Sequence, residues 1–303
     1  MRSVRCSLLL CLVVVPAVFG QAGRSFVSAG SGSDANACTR ALPCRSFAAA
    51  LGMTLGGGEI IVLDSGGYGP VSINKSISLV APRGVYAGIT ASTALTPAIA
   101  INAGGSDVVS VDGLTLNSTG ANDGIDITTA GTVVLTNVRI TNFPDEGIFF
   151  VAPADLIISD SALRGNGDGL DAKCATHSTI SIEHCSFEHN DLTALLIDDN
   201  IDLAIRNSVI HATQGVGLKV APTSLTGVSQ ADVENCILTE NFSGIRSGGD
   251  MGTANVRVSN STITMNAFGL NTNAGSTLTS RGNNTLEANQ VADGTFTGTF
   301  TAK

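Results

Sequence analysis

Residues 132–150 read TVVLTNVRITNFPDEGIFF, and the phrase returns at 155–172 as DLIISDSALRGNGDGLDA and at 178–197 as STISIEHCSFEHNDLTALLI. Each copy is a strand, a bend residue, a second short strand, a polar turn, and a third strand opening on a small residue followed by Ile or Leu. The bend position is held in turn by Gly113, Asn137, Asp160, His184, Asn207, Asn235, Asn260 and Asn283. The small residue is Gly124, Gly147, Gly169, Ala194, Gly217, Gly244 and Gly269. Two markers that keep step over seven copies, at about 23–28 residues each, are the signature of a structural repeat.

The period selects the architecture. Three short strands and three turns use about that many residues, and Asn, Asp and Gly tolerate the left-handed backbone of a sharp bend. Three residues after each bend lies a large apolar side chain: Leu116, Ile140, Leu163, Phe187, Ile210, Leu238, Ile263 and Leu286. Two residues before it lie Val111, Leu135, Ile158, Ile182, Ile205, Val233 and Val258. Strand alternation turns both sets inward, and stacking at ~4.8 Å makes them continuous columns with the bend residues as a hydrogen-bonded ladder. The expected fold is all-β, a right-handed parallel β-helix of three-strand rungs with about 10 coils. A propeller needs a longer repeat, and a sandwich needs no ladder.

Working outward, Glu59–Leu63, Val71–Ile73, Ile77–Leu79 and Ala98–Ile101 carry weaker strand patterns of earlier rungs. Between Cys44 and Leu55, Phe47, Leu51 and Leu55 recur at helical spacing and predict a short helix that covers the open first rung. The expected layout is a signal peptide at 1–22, an entry segment with the capping helix at 23–58, the β-helix at 59–290 and a tail or cap at 291–303.

The leader is read from Arg2 and Arg5, the apolar run Leu8–Val15, and small residues near Gly20 and Ala22. That run is too short to cross a bilayer, and no membrane span is expected in the mature chain. Removal of 1–22 leaves 14 basic against 25 acidic residues, a net charge of −11. Such a chain repels nucleic acid, which is excluded as a partner, and the expected location is secreted or periplasmic. Five Cys remain. Cys38 and Cys44 share a loop-like stretch and are expected to form a disulfide in an exported chain. Cys185 and Cys236 fall in one column two rungs apart, too far to pair, and are expected as buried free thiols. Cys174 lies in a loop and reaches Cys185 only if that loop folds back.

The entry segment Phe26-Val27-Ser28, Gly32-Ser33-Asp34, Cys38, Pro43-Cys44, Gly58-Glu59-Ile60 and Gly66-Gly67-Tyr68, followed by the rungs, resembles bacterial exported right-handed β-helix repeat proteins of the pectate-lyase-like superfamily. The resemblance covers residues 25–290. It implies a groove along an outward strand face and its flanking loops, and relatives that include polysaccharide lyases, hydrolases and epimerases.

On the third strand the outward residue after Ile or Leu is Asp126, Phe149, Asp171, Leu196, Lys219, Arg246 and Asn271 in successive rungs. The residue before the small one is Asp123, Glu146, Asp168, Thr193, Val216, Ser243 and Phe268. This face carries acids at its N-terminal end and bases further along. Asp123, Glu146 and Asp168, stacked ~4.8 Å apart, are a candidate calcium site, because like charges so close need a cation or retained protons. Asp126, Asp171, Lys219 and Arg246 are the candidate catalytic residues. A uronate lyase or epimerase needs a base for the C5 proton, which Lys219 or Arg246 would supply. A hydrolase needs two carboxyls, and Asp126 and Asp171 stand ~9.6 Å apart. Asn122-Asp123-Gly124-Ile125-Asp126 is similar to the Asn-Thr-Asp-Gly element of polygalacturonase-like hydrolases, and Asp198-Asp199 to their Asp-Asp pair. Their Gly-His-Gly and Arg-Ile-Lys elements are missing.

Arg164, Glu188 and His211, and likewise Glu183, Arg206 and Glu234, form outward columns expected to make cross-rung ion pairs. Trp is absent and Tyr numbers two, so neutral glycans lack their usual platforms. Most connections are short. The expected function is therefore an exported, non-catalytic surface-binding or structural module whose partner is a polysaccharide or cell-surface glycan. The alternative is a lyase or epimerase acting on an acidic polysaccharide at the outward strand face.

Overall fold

The computed structural model describes residues 21–249 and 251–301. The signal-peptide reading falls almost wholly outside the described residues. Within them the chain winds through three parallel sheets of 12, 10 and 9 strands, here called first, second and third after the order in which each coil visits them. Nine coils are complete in all three sheets. The repeated phrase is the coil: Thr132–Thr136 lies in the first sheet, Arg139–Thr141 in the second and Glu146–Phe150 in the third.

The predicted inward columns are the core. Leu116, Ile140, Leu163, Phe187, Ile210, Leu238 and Ile263 are fully buried, as are Val111, Leu135, Ile158, Ile182, Ile205, Val233 and Val258. Register is strict: Leu135 stands between Val111 and Ile158, and Ile205 between Ile182 and Val233. The bend residues from Gly113 to Asn260 all have φ between 48° and 79°. Asn235 donates Nδ2–H to Asn207 Oδ1 at 2.7 Å, and Asn260 to Asn235 at 3.2 Å. The last rung departs from expectation. Its left-handed residue is Gly282, not Asn283, and one extra residue there lets Asn283 Oδ1 accept the Asn260 N–H at 3.0 Å.

A second bend was not legible in the sequence. Asn142, Gly165, His189, Ala212, Glu240, Met265 and Ala288 all take φ between 53° and 66° at the turn from the second to the third sheet. Their residue types have nothing in common. In five of the seven turns the next position is Asn, buried at Asn166, Asn190, Asn241 and Asn266 and half-buried at Asn289, while Phe143 and Thr213 fill the other two. Each side-chain oxygen accepts a backbone N–H of the coil before: Asn166 that of Phe143, Asn241 that of Thr213, Asn266 that of Asn241. Each Nδ2 also reaches a main-chain carbonyl, as Asn266 does that of Leu238 at 3.0 Å. Buried main-chain groups without a strand partner are thereby satisfied.

Helix α1, Phe47–Met53, buries Phe47, Ala50 and Leu51 over the first rung. It is shorter than Cys44–Leu55. Ser46 caps it, and Leu55 already lies in the strand Thr54–Val62, 46% exposed. At the far end Gly298–Thr299 adds to the first sheet and Phe296 packs on the core. Cys38 and Cys44 are bonded, while Cys174, Cys185 and Cys236 are free and buried. No helix of the described residues is long and apolar enough to cross a membrane.

The outward charge columns are in register, but only part of the ion pairing follows. Arg206 meets Glu234 at 3.3 Å, whereas Glu183 is met by Asn207 Nδ2 at 3.1 Å. Arg164 and Glu188 are lateral neighbours, yet among the described residues they form no salt bridge. His211 instead meets Glu240 at 3.3 Å. Exposed long side chains gain too little from pairing to be held together.

Candidate functional site on the third sheet

The third sheet places Asp126 beside Phe149, Phe149 beside Asp171, Asp171 beside Leu196, Leu196 beside Lys219, and Lys219 beside Arg246. The neighbouring column runs through Glu146 and Asp168, then Thr193, Val216, Ser243 and Phe268. The small residue between the columns has a steric cause. A Cβ on Gly147 would stand 2.7 Å from the carbonyl oxygen of Gly169, and one on Gly244 2.7 Å from that of Gly269. Close approach of successive coils is what packs the two polar columns into one face.

Burial of so many acids on one face raises their affinity for protons. Burial first, and then the charge of Asp123, push Asp126 up to about 6. Burial, a hydrogen bond with Asp123, and the charges of Asp123, Asp171 and Asp145 push Glu146 up to about 8. Burial also raises Asp168, against the hydrogen bonds it takes from Thr193. Asp171 is raised by burial although Lys173 stands 3.5 Å from its Oδ2. Glu146 thus keeps its proton through neutral pH, whereas Asp126 releases its own near pH 6.

Three carboxylates do converge, but not the predicted three. Oxygens of Asp123, Asp145 and Glu146 lie within 4.8 Å of one another, while Asp168 leans to Thr193 in the next coil. Asp145 was missed because it belongs to the turn after Pro144 and to neither strand column. All three donors are hard oxygens, and the mutual proximity that raises Glu146 is what a divalent cation relieves. The set fits Ca²⁺, which takes six to eight oxygens and would draw the remainder from water.

Sequence reasoning also missed Lys173. It lies in the turn after the third strand, with Nζ 3.5 Å from Asp171 and 5.7 Å from the Phe149 ring centre. Asp198, by contrast, is buried and accepts the Thr223 N–H at 2.9 Å, and Asp199 accepts from Ser224, so this pair secures a turn.

Unmatched polar atoms concentrate here. Among the described residues, eight buried side-chain N or O atoms have no hydrogen-bond partner. Five of them, Asp126 Oδ1, Asp168 Oδ1, Asp171 Oδ1, Ser243 Oγ and Arg246 Nε, lie in these two columns. Asp171 is only 5% exposed. The connections beside the face are short, none of those described longer than the seven residues of 92–98 and 221–227.

In structure the chain is similar to an alginate lyase from Paenibacillus sp. str. FPU-7, at 17% identity and TM-score 0.63, covering 90% of this chain and 99% of that one. It is also similar to pectate lyase Pel9A, at 14% identity and TM-score 0.59, covering 92% and 78%. The A-module of the Azotobacter vinelandii mannuronan C-5 epimerase AlgE6 matches at 16% identity and TM-score 0.51, covering 90% and 77%. These likenesses show the shared pectate-lyase-like fold. No curated protein matches the chain in sequence. Residues 97–255, more than half of the chain, match the family described as the right handed beta helix region, and the chain belongs to that family.

Proposed function

We propose that the protein is an exported binding module that holds an acidic polysaccharide along the outward face of the third sheet. The observation that carries this reading is the in-register outward row on the third sheet, in which Asp126 flanks Phe149, Phe149 flanks Asp171, and Lys219 stands beside Arg246. A polymer lying across the coils would meet the side chains of this row one after another. Lys219 and Arg246, side by side, would take carboxylates. Asp126, which keeps its proton up to about pH 6, would donate to a sugar oxygen in mildly acidic solution. Asp123, Asp145 and Glu146 would hold Ca²⁺, which lets a negatively charged chain approach acids. Short connections leave the face unwalled, which suits binding more than turnover. The pectate-lyase-like fold agrees, though fold alone does not assign activity.

The test is calorimetric titration with polygalacturonate and alginate, with and without Ca²⁺. Binding that is lost in Lys219→Ala and Arg246→Ala supports the reading. Absence of binding to both polymers, with Ca²⁺ present, overturns it.

One observation favours a second reading, a lyase or epimerase on a uronate polymer. Carboxyls whose pKa values stand near neutrality mark functional sites, and Asp126 and Glu146 do so. Lys219 or Arg246 would then take the C5 proton, with Asp126 and Asp171 alongside. Ultraviolet absorbance of unsaturated uronate products, lost in Lys219→Ala and in Asp171→Ala, would support a lyase. Retention of activity in both variants would move the chemistry elsewhere.

A further inference from the structure

A cavity of about 770 Å³ opens on the first sheet, away from the acid row of the third. Its cause is one short residue in a column of long ones. The outward column runs through Arg206, Glu234 and Ser259 in successive coils. Arg281 continues it, because Ser280 before it pairs with Val258. Phe300 of the C-terminal segment follows, because Thr299 pairs with Ser280. Ser259, 8% exposed, is the floor of the depression, and its long neighbours are the walls. The volume falls in the range of small-molecule sites, about 300–1,000 Å³.

Two ion pairs hold one side of the cavity. Arg206 Nε meets Glu234 at 3.3 Å. Arg257, two residues before Ser259 on the same outward face, grips both carboxylate oxygens of Asp232, at 2.5 and 2.7 Å. Bidentate pairing fixes the direction of that guanidinium. Each pair is neutral as a unit. Arg281 forms no salt bridge among the described residues, so the lining is left with one unbalanced positive charge.

The lining matches one kind of ligand. Arg281 offers parallel N–H donors that fit a carboxylate. Glu234 and Asp232 keep lone pairs for hydroxyl donors, and the hydroxyls of Ser259, Thr299 and Thr301 can donate or accept. Phe300 supplies an apolar wall. A molecule with one carboxylate, several hydroxyls and an apolar ring face is a sugar acid. We infer that this cavity is a second binding site, for a uronic acid of one or two rings, with its carboxylate on Arg281 and its ring face against Phe300. The site takes a short saccharide in a walled depression, and it stands whether or not the third sheet holds a polymer.

The experiment titrates galacturonate and digalacturonate, with galactose as the uncharged counterpart, into wild type, Arg281→Ala, Phe300→Ala and Arg164→Ala, and records the melting temperature of each. Arg281 is exposed and unpaired, so Arg281→Ala should melt like wild type. Wild type should bind both acids and not galactose. Arg281→Ala should weaken binding by about tenfold or more, the size of a hydrogen bond to a charged group. Phe300→Ala should weaken it severalfold through lost apolar contact. Arg164→Ala removes an exposed arginine from the second sheet and should bind as wild type does. Undiminished binding in Arg281→Ala would overturn the site, as would equal affinity for galactose. An equal loss in Arg164→Ala would reduce the effect to net charge and overturn it too. Failure of wild type to bind either acid would overturn this inference and leave the polymer test of the third sheet to be judged by itself.

Discussion

Glu146 donates its backbone N–H to Oδ1 of Asp123 at 3.3 Å, and its own carboxyl is hydrogen-bonded to the same residue. With Asp145 completing the group, the arrangement is stable only while Glu146 keeps a proton or a cation replaces it. Its pKa rises from an ordinary 4.5 to about 8, so between those values the folded chain holds a proton that the unfolded chain has released. The stabilisation is complete below pH ~4.5 and is lost as pH rises through about 8. Urea midpoints of the metal-free protein should fall from pH 6.5 to 8.5. Glu146→Gln, which keeps a neutral hydrogen-bonding side chain, should flatten that stretch. A wild-type profile as flat as the variant's would show that the pair holds no proton.

Calcium should act on the same group from the other side. Because Glu146 must lose its proton to become a ligand, binding releases that proton and strengthens as pH rises. Addition of Ca²⁺ should therefore raise the melting temperature more at pH 8 than at pH 5, and chelation should reverse the gain. The geometry separates two carboxylates that look alike in sequence. Asp145→Asn should abolish the gain, since Asp145 is one of the three converging residues. Asp168→Asn should preserve it, since Asp168 is engaged by Thr193. The opposite outcome would restore the trio of Asp123, Glu146 and Asp168 predicted from strand columns alone.

The buried asparagines carry a prediction about the fold itself. Asn266 satisfies the Asn241 N–H and the Leu238 carbonyl together. Asn266→Ala strands two buried backbone groups and should cost about 2–4 kcal/mol, read as a lower urea midpoint. Asn235→Gly, in the exposed ladder, keeps the left-handed bend and should cost less than about 1 kcal/mol because water replaces the lost bond. Comparable losses at the two positions would mean that the outer ladder also holds the turns.

That contrast explains what the sequence made legible. The first bend was readable because its chemistry demands residues that tolerate positive φ, and Asn, Asp and Gly recur there. The second bend was not, because buried Asn at the following position fixes the turn, which leaves the bend residue free to be His189, Glu240 or Met265. The order of charges along the third sheet was readable because register follows directly from the repeat, and every lateral neighbour from Asp126 to Arg246 stands where the period puts it. What lay in turns was not. Asp145 and Lys173 approach Glu146 and Asp171 only through loop paths that no periodicity encodes.

The free thiols offer a final test of the column logic. Ser161, Cys185, Ser208, Cys236 and Ser261 occupy one inward position in successive coils, and each serine hydroxyl or thiol lies within donating reach of the carbonyl two residues back. Burial pushes both thiols up to about 11, so at neutral pH neither carries the thiolate needed for reaction. In the folded protein Cys185 and Cys236 should resist a thiol reagent, and peptide mapping should find them modified only after unfolding. Because serine already fills alternate places in the column, Cys185→Ser and Cys236→Ser should fold and shift stability by no more than about 1 kcal/mol. Rapid labelling of the native chain would mean that the coils open at this level. A large loss in the serine variants would mean that the column needs the bulk and low polarity of sulfur there.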